Sequence, residues 1–292
     1  MREMKSMINR NIKKYYRNKG TVIFSLLTAF IVSALYLFFL TDMQIEYVKA
    51  AIGDVDGIGL MITTWIVGGF VFIPAVSVPQ IILCFKVDDI VDGKQDDLLV
   101  TSAKRTSIMM GYVCSALIVG MIMTIACFIL GEVFIVSQGG TLLSFFDYVK
   151  SFGIIALVVF SFTGFEIFLI SFIKTNAMVM VINSILNVFL GFLLGLYVPI
   201  GMLGESAGNA IKTFPLLQAA SILRKILMRD SMNTVLKGVD SSVVLQIREM
   251  YGVDIVINNL LIKPGSIITI LITCGIMTYI GASFVFKYGK EK

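Results

Sequence analysis

Six apolar runs set the limits on what this chain can fold into: Thr21 to Thr41, Ile58 to Phe85, Ser107 to Val136, Lys150 to Ile173, Ala177 to Ile200 and Ser266 to Phe286. Each reaches the roughly 20 helical residues that cross a hydrocarbon core about 30 Å thick. Within such a core no water satisfies backbone N–H and C=O groups, so only helices and closed barrels span it. None of the runs alternates with the period of two that a barrel strand requires. The expected fold is an all-α membrane protein with six transmembrane helices, residues 1–292 forming one transmembrane domain. Composition agrees, because only 15% of the residues are charged, against about 25% in soluble domains. The first run is not read as a secretory signal: its apolar core exceeds the usual 7 to 15 or so residues, and no small-residue cleavage site follows "LYLFFLTDMQ".

Lys and Arg orient the spans, since short basic loops stay in the cytoplasm. The N-terminal segment carries Arg2, Lys5, Arg10, Lys13, Lys14, Arg17 and Lys19; the loop 86–106 carries Lys86, Lys94, Lys104 and Arg105; the tail carries Lys287, Lys290 and Lys292. Both termini are therefore expected in the cytoplasm of a multi-pass plasma-membrane protein. The outer segments Asp42 to Gly57 and Ser137 to Val149 contain only Lys49. The outer segment 201–265 is richer in basic residues, but segments beyond about 60 residues largely escape the charge rule. The net charge of +5 then reflects orientation and anionic lipid, and no nucleic-acid partner is expected.

Residues 1–20 read as a basic amphipathic helix at the cytoplasmic interface. Met1, Met4, Ile8, Ile12, Tyr15 and Tyr16 share one side at helical spacing, while Arg10, Lys13 and Arg17 lie opposite. Such a helix either anchors the chain to lipid or gives a cytoplasmic partner something to push.

The stretch "DDIVDGKQDDLLVTSAKRTSIMMGY" from Asp88 to Tyr112 breaks the apolar pattern. Its aspartates lack the alternating acids, central glycine and terminal glutamate of a calcium-binding EF-hand loop. The chain has no histidine, no G-x-x-x-x-G-K-[ST] phosphate loop and no carboxylates set against a nucleophile, so no catalytic or nucleotide site is expected. "GDVDGIG" at Gly53 to Gly59 follows no strand and reads as an outer loop. What remains in the 86–106 loop is a short helix, with Asp96 and Asp97 near its start and Lys104 and Arg105 near its end, as the helix dipole favours. Leu98 and Leu99 give it an apolar face to dock.

Three stretches in order, "RNIKKYYRNKGTVIFSLL", "VDGKQDDLLVTSAKRTSIMMGY" and "PIGMLGESAGNAIKTFPLLQAASILRKIL", resemble the permease subunits of ABC-2 type exporters. The resemblance implies that Asp92, Gly93, Asp97, Leu98, Leu99 and Arg105 belong to a cytoplasmic coupling helix between spans two and three; Ser102 stands where relatives commonly carry proline. It also implies a re-entrant outer hairpin in 201–265, with Pro215 and Arg224 at its usual proline and arginine. Further implications are two ATPase subunits per complex that bind ATP and Mg, a second permease copy or a sister chain, and no ATPase site in this chain. The interfacial-helix residues Ile8, Ile12, Lys13, Tyr16 and Arg17 would respond with the loop. The expected cargo is hydrophobic or amphipathic: a drug, peptide or lipid-like molecule. An ion-coupled secondary carrier and a non-transporting membrane scaffold are the alternatives.

Polar residues inside the spans are the remaining candidates. Asn183, Asn187, Gly191 and Gly195 recur at i+4 in the fifth span, a stripe suited either to a dimer seam or transport pathway or to packing within one chain. Glu132 is expected about 6 Å from the outer end of its helix and within reach of water, and Glu166 about 10 Å from the cytoplasmic end. An acid as deep as Glu166 is a cation or proton contact, or a protonated carboxyl bonded between helices. Pro74 and Pro79 mark a bend in the second span. Cys84, Cys114, Cys127 and Cys274 lack metal-ligand spacing and, like the sixteen methionines, read as apolar packing; no metal is expected.

Overall fold

The chain begins with a helix, α1 (Arg2–Arg17), that Asn18 separates from α2 (Lys19–Phe39). The Asn18 Oδ1 accepts the Thr21 N–H at 3.2 Å, the bond by which a short polar residue starts a helix. A computed structural model describes residues 2–94, 105–257 and 260–288, and these are almost wholly helical. After α3 (Thr41–Ile52) come α4 (Ile58–Phe70) and α5 (Phe72–Val91), then α6 (Arg105–Ser137), α7 (Phe145–Ile170) and α8 (Asn176–Leu193). The segment that follows holds α9 (Glu205–Lys212), α10 (Pro215–Leu227), α11 (Arg229–Val235) and α12 (Ser241–Met250). A two-stranded hairpin, β1 (Val256–Ile257) against β2 (Leu260–Leu261), leads to α13 (Pro264–Tyr288).

Among the described residues, five helices are long and apolar enough to cross a membrane: Ile58–Val91, Arg105–Ser137, Phe145–Ile170, Asn176–Leu193 and Pro264–Phe286. The chain is in this sense a multi-pass membrane protein. The first of these joins α4 and α5 and is the central mast, with nearly all of its apolar length enclosed by other helices. Pro74 explains the break at Val71, because it lacks the N–H that the Phe70 carbonyl would otherwise accept. Pro79 lies inside α5, and Gly120 of α6 lets that ring approach: a Cβ there would stand 2.6 Å from the Pro79 Cγ.

Two apolar cores lie along the mast. One gathers Trp65, Phe70, Phe128, Leu223 and Tyr251 beside the 201–265 segment; the other gathers Tyr15, Val78, Leu83, Tyr112 and Ile167 beside α1. The helix α2 runs between these two ends. Its start carries Ser25, whose Oγ lies 2.7 Å from the Tyr15 hydroxyl, and α3 beyond its end carries Gln44, whose Oε1 accepts the Tyr251 hydroxyl at 3.0 Å. The helix α8 stops at Leu193 rather than running to Ile200, because Gly195 turns the chain at φ +62°. The left-handed conformation is open to glycine at little steric cost.

Candidate functional site

The best-defined polar assembly joins α1 to the two helices on either side of residues 92–104. The Arg10 guanidinium and the Tyr112 hydroxyl both donate to Asp89 Oδ2, and Arg10 Nη2 lies 3.2 Å from the Tyr112 hydroxyl. Asp89 lies in the last turn of α5, almost fully buried, so its carboxylate is desolvated and its partners compensate it. One residue on, Asn11 Nδ2 donates to Ser115 Oγ at 3.1 Å. Lys14 reaches Asp88 at 3.0 Å and lies over the Phe85 ring. Gly111 permits the contact between α1 and α6, since a Cβ at that position would meet the Met7 Cβ at 2.5 Å.

This geometry corrects the sequence reading of α1. Arg10 does not share a solvent face with Lys13 and Arg17, which are exposed; it turns inward. The buried row is Met7, Asn11 and Tyr15, with Ile8 and Ile12 half-buried and Tyr16 exposed. At about 100° per residue Arg10 lies only about 60° from Met7, and its long side chain covers the difference. Asp88, Asp89, Asn11, Tyr112 and Ser115 were not among the candidates. Two aspartates closing an apolar run, facing a basic amphipathic helix across the same membrane surface, were the available signal.

The loop itself is described only at its edges. Asp92 and Gly93 close α5: the Asp92 N–H bonds the Asp88 carbonyl at 2.9 Å, and Gly93 takes φ +72°. Lys94 pairs with Asp92 at 2.7 Å on the exposed surface. Arg105, expected near the end of the loop helix, is the first residue of α6. Asp97, Leu98 and Leu99 lie outside the described residues.

At the opposite end Arg224 is fully buried on α10. Its Nη2 donates to the Leu194 carbonyl at 2.7 Å, its Nε to the Trp65 carbonyl at 3.4 Å, and its guanidinium sits 5.4 Å from the Trp65 ring centre. Gly68 and Gly69 make room for it, since a Cβ at either would lie within 3 Å of Arg224 atoms. Pro215 opens α10 at its first position, where a missing N–H costs no helical bond. Phe214 and Pro215 line an apolar cavity of about 450 Å³ with Phe165 of α7 and Met277 of α13. The far end of α10 is held through Arg229, bidentate on Asp147 at 2.9 and 3.0 Å. Glu132, expected to reach water, is instead buried and accepts the Leu143 N–H at 2.9 Å, fixing the α6–α7 turn.

The i+4 stripe runs from α8 into the turn beyond it, and three of its four positions pack against residues outside the helix. Asn183 faces Cys84 of α5 at 3.9 Å, a Cβ at Gly191 would strike the Tyr197 ring at 2.2 Å, and Gly195 supplies the positive-φ turn. Asn187 is exposed and donates to the Asn183 carbonyl at 2.8 Å. Asn183 and Asn187 line a polar cleft of about 710 Å³ with Thr21 and Ser25 of α2 and Ser77 and Gln80 of α5. Glu166 lies behind it, 1% exposed, with neither carboxyl oxygen hydrogen-bonded to any described residue.

Comparison with protein-family models and with curated proteins gives no match to either. The assignment of function therefore rests on these residues. Among the described residues no cluster of His, Cys, Asp and Glu has the spacing to hold a metal ion.

Proposed function

We propose that the chain is the permease subunit of an ATP-driven exporter of the ABC-2 type, moving a hydrophobic or amphipathic molecule out of the cytoplasm. The observation that carries this reading is the clamp of Arg10, Asp89 and Tyr112. It fastens α1 to the helices on either side of residues 92–104, so a partner bound to that segment would move α1, α5 and α6 as one lever. Binding energy spent in the partner would shift the population between inward-open and outward-open arrangements. In this reading the partner is a pair of ATPase subunits holding ATP and Mg, and a second permease copy or sister chain completes the complex.

The proposed topology has six spans, with α2 as the first and both termini in the cytoplasm of the plasma membrane. The passage of α2 from the Tyr15–Ser25 contact to the Gln44–Tyr251 end supports it, and 21 residues at about 1.5 Å each suffice for the crossing. The outer α9–α10 pair is proposed to re-enter the membrane, supported by the buried Arg224 and by the descent of Phe214 and Pro215 to the cavity beside Phe165. That apolar cavity falls in the size range of small-molecule sites, about 300–1,000 Å³, and favours an apolar cargo. Glu166 is the observation that keeps an ion-coupled carrier as the second reading.

The test is co-purification. The tagged chain, extracted from its native membrane in mild detergent, is expected to bring a nucleotide-binding subunit with it, and Leu98→Asp with Leu99→Asp to lose that subunit while remaining folded. A chain that purifies alone in both forms overturns the reading.

A further inference from the structure

We propose that Glu166, Gln80 and Asn183 form a binding site for one monovalent cation of sodium size, entered through the polar cleft between α2, α5 and α8. This goes beyond the exporter reading, because the site stands on this chain alone whether the ion is cargo, co-ion or structural.

Glu166 is a buried polar group without a hydrogen-bond partner among the described residues. A buried carboxyl in an apolar helix bundle normally has hydrogen bonds or a counter-charge. Glu166 is enclosed by α5, α7 and α8, and neither of its oxygens meets a donor among the described residues. Both oxygens are therefore available to a ligand. The titratable groups nearest in influence are the Cys84 thiol on α5 and the Tyr279 phenol on α13. Tyr279 directs its hydroxyl to the Phe160 carbonyl at 3.1 Å, and Lys86 on α5 directs its ammonium to the Phe286 ring at 4.6 Å. No described cation is paired with Glu166.

The second observation is space. Glu166 borders a cavity of about 10 Å³ together with Gln80, Cys84 and Asn183. That volume admits one water-sized particle, for which about 10–15 Å³ suffices, and excludes an organic headgroup. The polar lining is a carboxylate, two side-chain amides and the Cys84 thiol, which faces Asn183 at 3.9 Å; the three oxygen-bearing groups suit a hard cation. One carboxylate balances the single charge of an alkali cation and not the double charge of calcium or magnesium. Sodium or lithium matches that charge and hardness.

The third observation is access. Gln80 and Asn183 border the small cavity and the 710 Å³ cleft alike. The cleft continues past Ser25 and Thr21 to Asn18, at the end of the bundle where α1 lies. An ion leaving water there would pass from hydroxyl to amide to carboxylate without crossing bare hydrocarbon.

The full-length chain in lipid nanodiscs, without any partner, is titrated with ²²Na⁺ and melted in sodium, lithium, potassium and choline chlorides at one ionic strength. Wild type is expected to bind sodium saturably at one ion per chain and to melt roughly 3 °C or more higher in sodium than in choline. Glu166→Gln should abolish both effects. Asn183→Ala, at the half-exposed edge of the site, should raise the half-saturating sodium concentration about tenfold, a weakening of one contributing ligand; it keeps the test informative if Glu166→Gln does not fold. Equal melting in all four salts, or sodium binding that survives in Glu166→Gln, overturns the site. So does a stability that follows pH alone, which would mean that the carboxyl simply holds a proton. Failure here leaves the ATPase co-purification result untouched, and failure of co-purification leaves this site untouched.

Discussion

Removing the positive end of the Arg10–Asp89 pair should destabilise the protein more than removing both ends. Arg10→Met leaves a buried carboxylate with only Tyr112 for a partner; breaking a fully buried pair costs about 3–5 kcal/mol, and the cost here is smaller because the Arg10 side chain is 35% exposed and partly screened by water. Adding Asp89→Leu should restore most of the loss, since apolar replacements of buried pairs are often neutral. Thermal melts of the two variants in detergent decide this; equal destabilisation in both would show that the charges matter less than the packing of α1. Arg10 also marks what residue-level sequence reading cannot reach. Periodicity sorts side chains by type, so every arginine on α1 falls to the polar face, yet the arginine nearest the margin is long enough to be drawn under by Asp89. Likewise the run of aspartates announced itself, but nothing in its spacing separates Asp89, which is buried, from Asp88, which is half-exposed.

At the scale of elements the bonds predict which parts move together. Asn11→Cys with Ser115→Cys, in a background without the native cysteines, should be joined by a short bis-methanethiosulfonate crosslinker across the α1–α6 contact, where the native Nδ2 and Oγ atoms are 3.1 Å apart. If α1 and α6 form one lever, the crosslinked protein keeps most of the proposed ATP-driven transport; loss that dithiothreitol reverses would mean that α1 swings separately. A second element, the 201–265 segment, is held through Asp254, which pairs with Lys225 at 2.9 Å and with Arg248. Burial pushes the Asp254 carboxyl up, but the Arg248 and Lys225 bonds outweigh it and hold it below the usual carboxylate range. A depressed carboxylate stabilises the fold fully above its unfolded pKa of about 3.9 and loses that contribution as pH falls through the lower, folded value. Protease cleavage of this segment should therefore accelerate below about pH 4 in wild type, and Asp254→Asn should be more readily cleaved at neutral pH, with less further change on acidification. Elements were the most legible level of the sequence, because an apolar run of 20 or so residues leaves the backbone no alternative to a helix. Their ends were less so: α8 is cut short by the turn at Gly195, and α7 starts at Phe145 because Ser144 caps it, accepting the Asp147 N–H at 3.3 Å.

For the whole molecule the decisive quantity is the number of crossings between α1 and the 201–265 segment. Five helices meet the length and hydropathy of a span, and four of them lie between these two regions, so without α2 both would face the same side. With α2 as an additional span they face opposite sides. The contacts at its two ends favour the crossing: α1 closes on Asp89 and Tyr112 at one end of the bundle, and Gln44 meets Tyr251 at the other. Lys13 and Lys237 are both exposed, so single cysteines there, with the four native cysteines replaced by alanine, report each side directly. In intact cells a membrane-impermeant maleimide should label Lys237→Cys at once and Lys13→Cys only after the membrane is permeabilised. Labelling of both before permeabilisation would place α1 outside and remove α2 from the spans. It would also end the exporter reading at its root, since a loop on the same face as the Arg10 clamp would then be out of reach of cytoplasmic ATP.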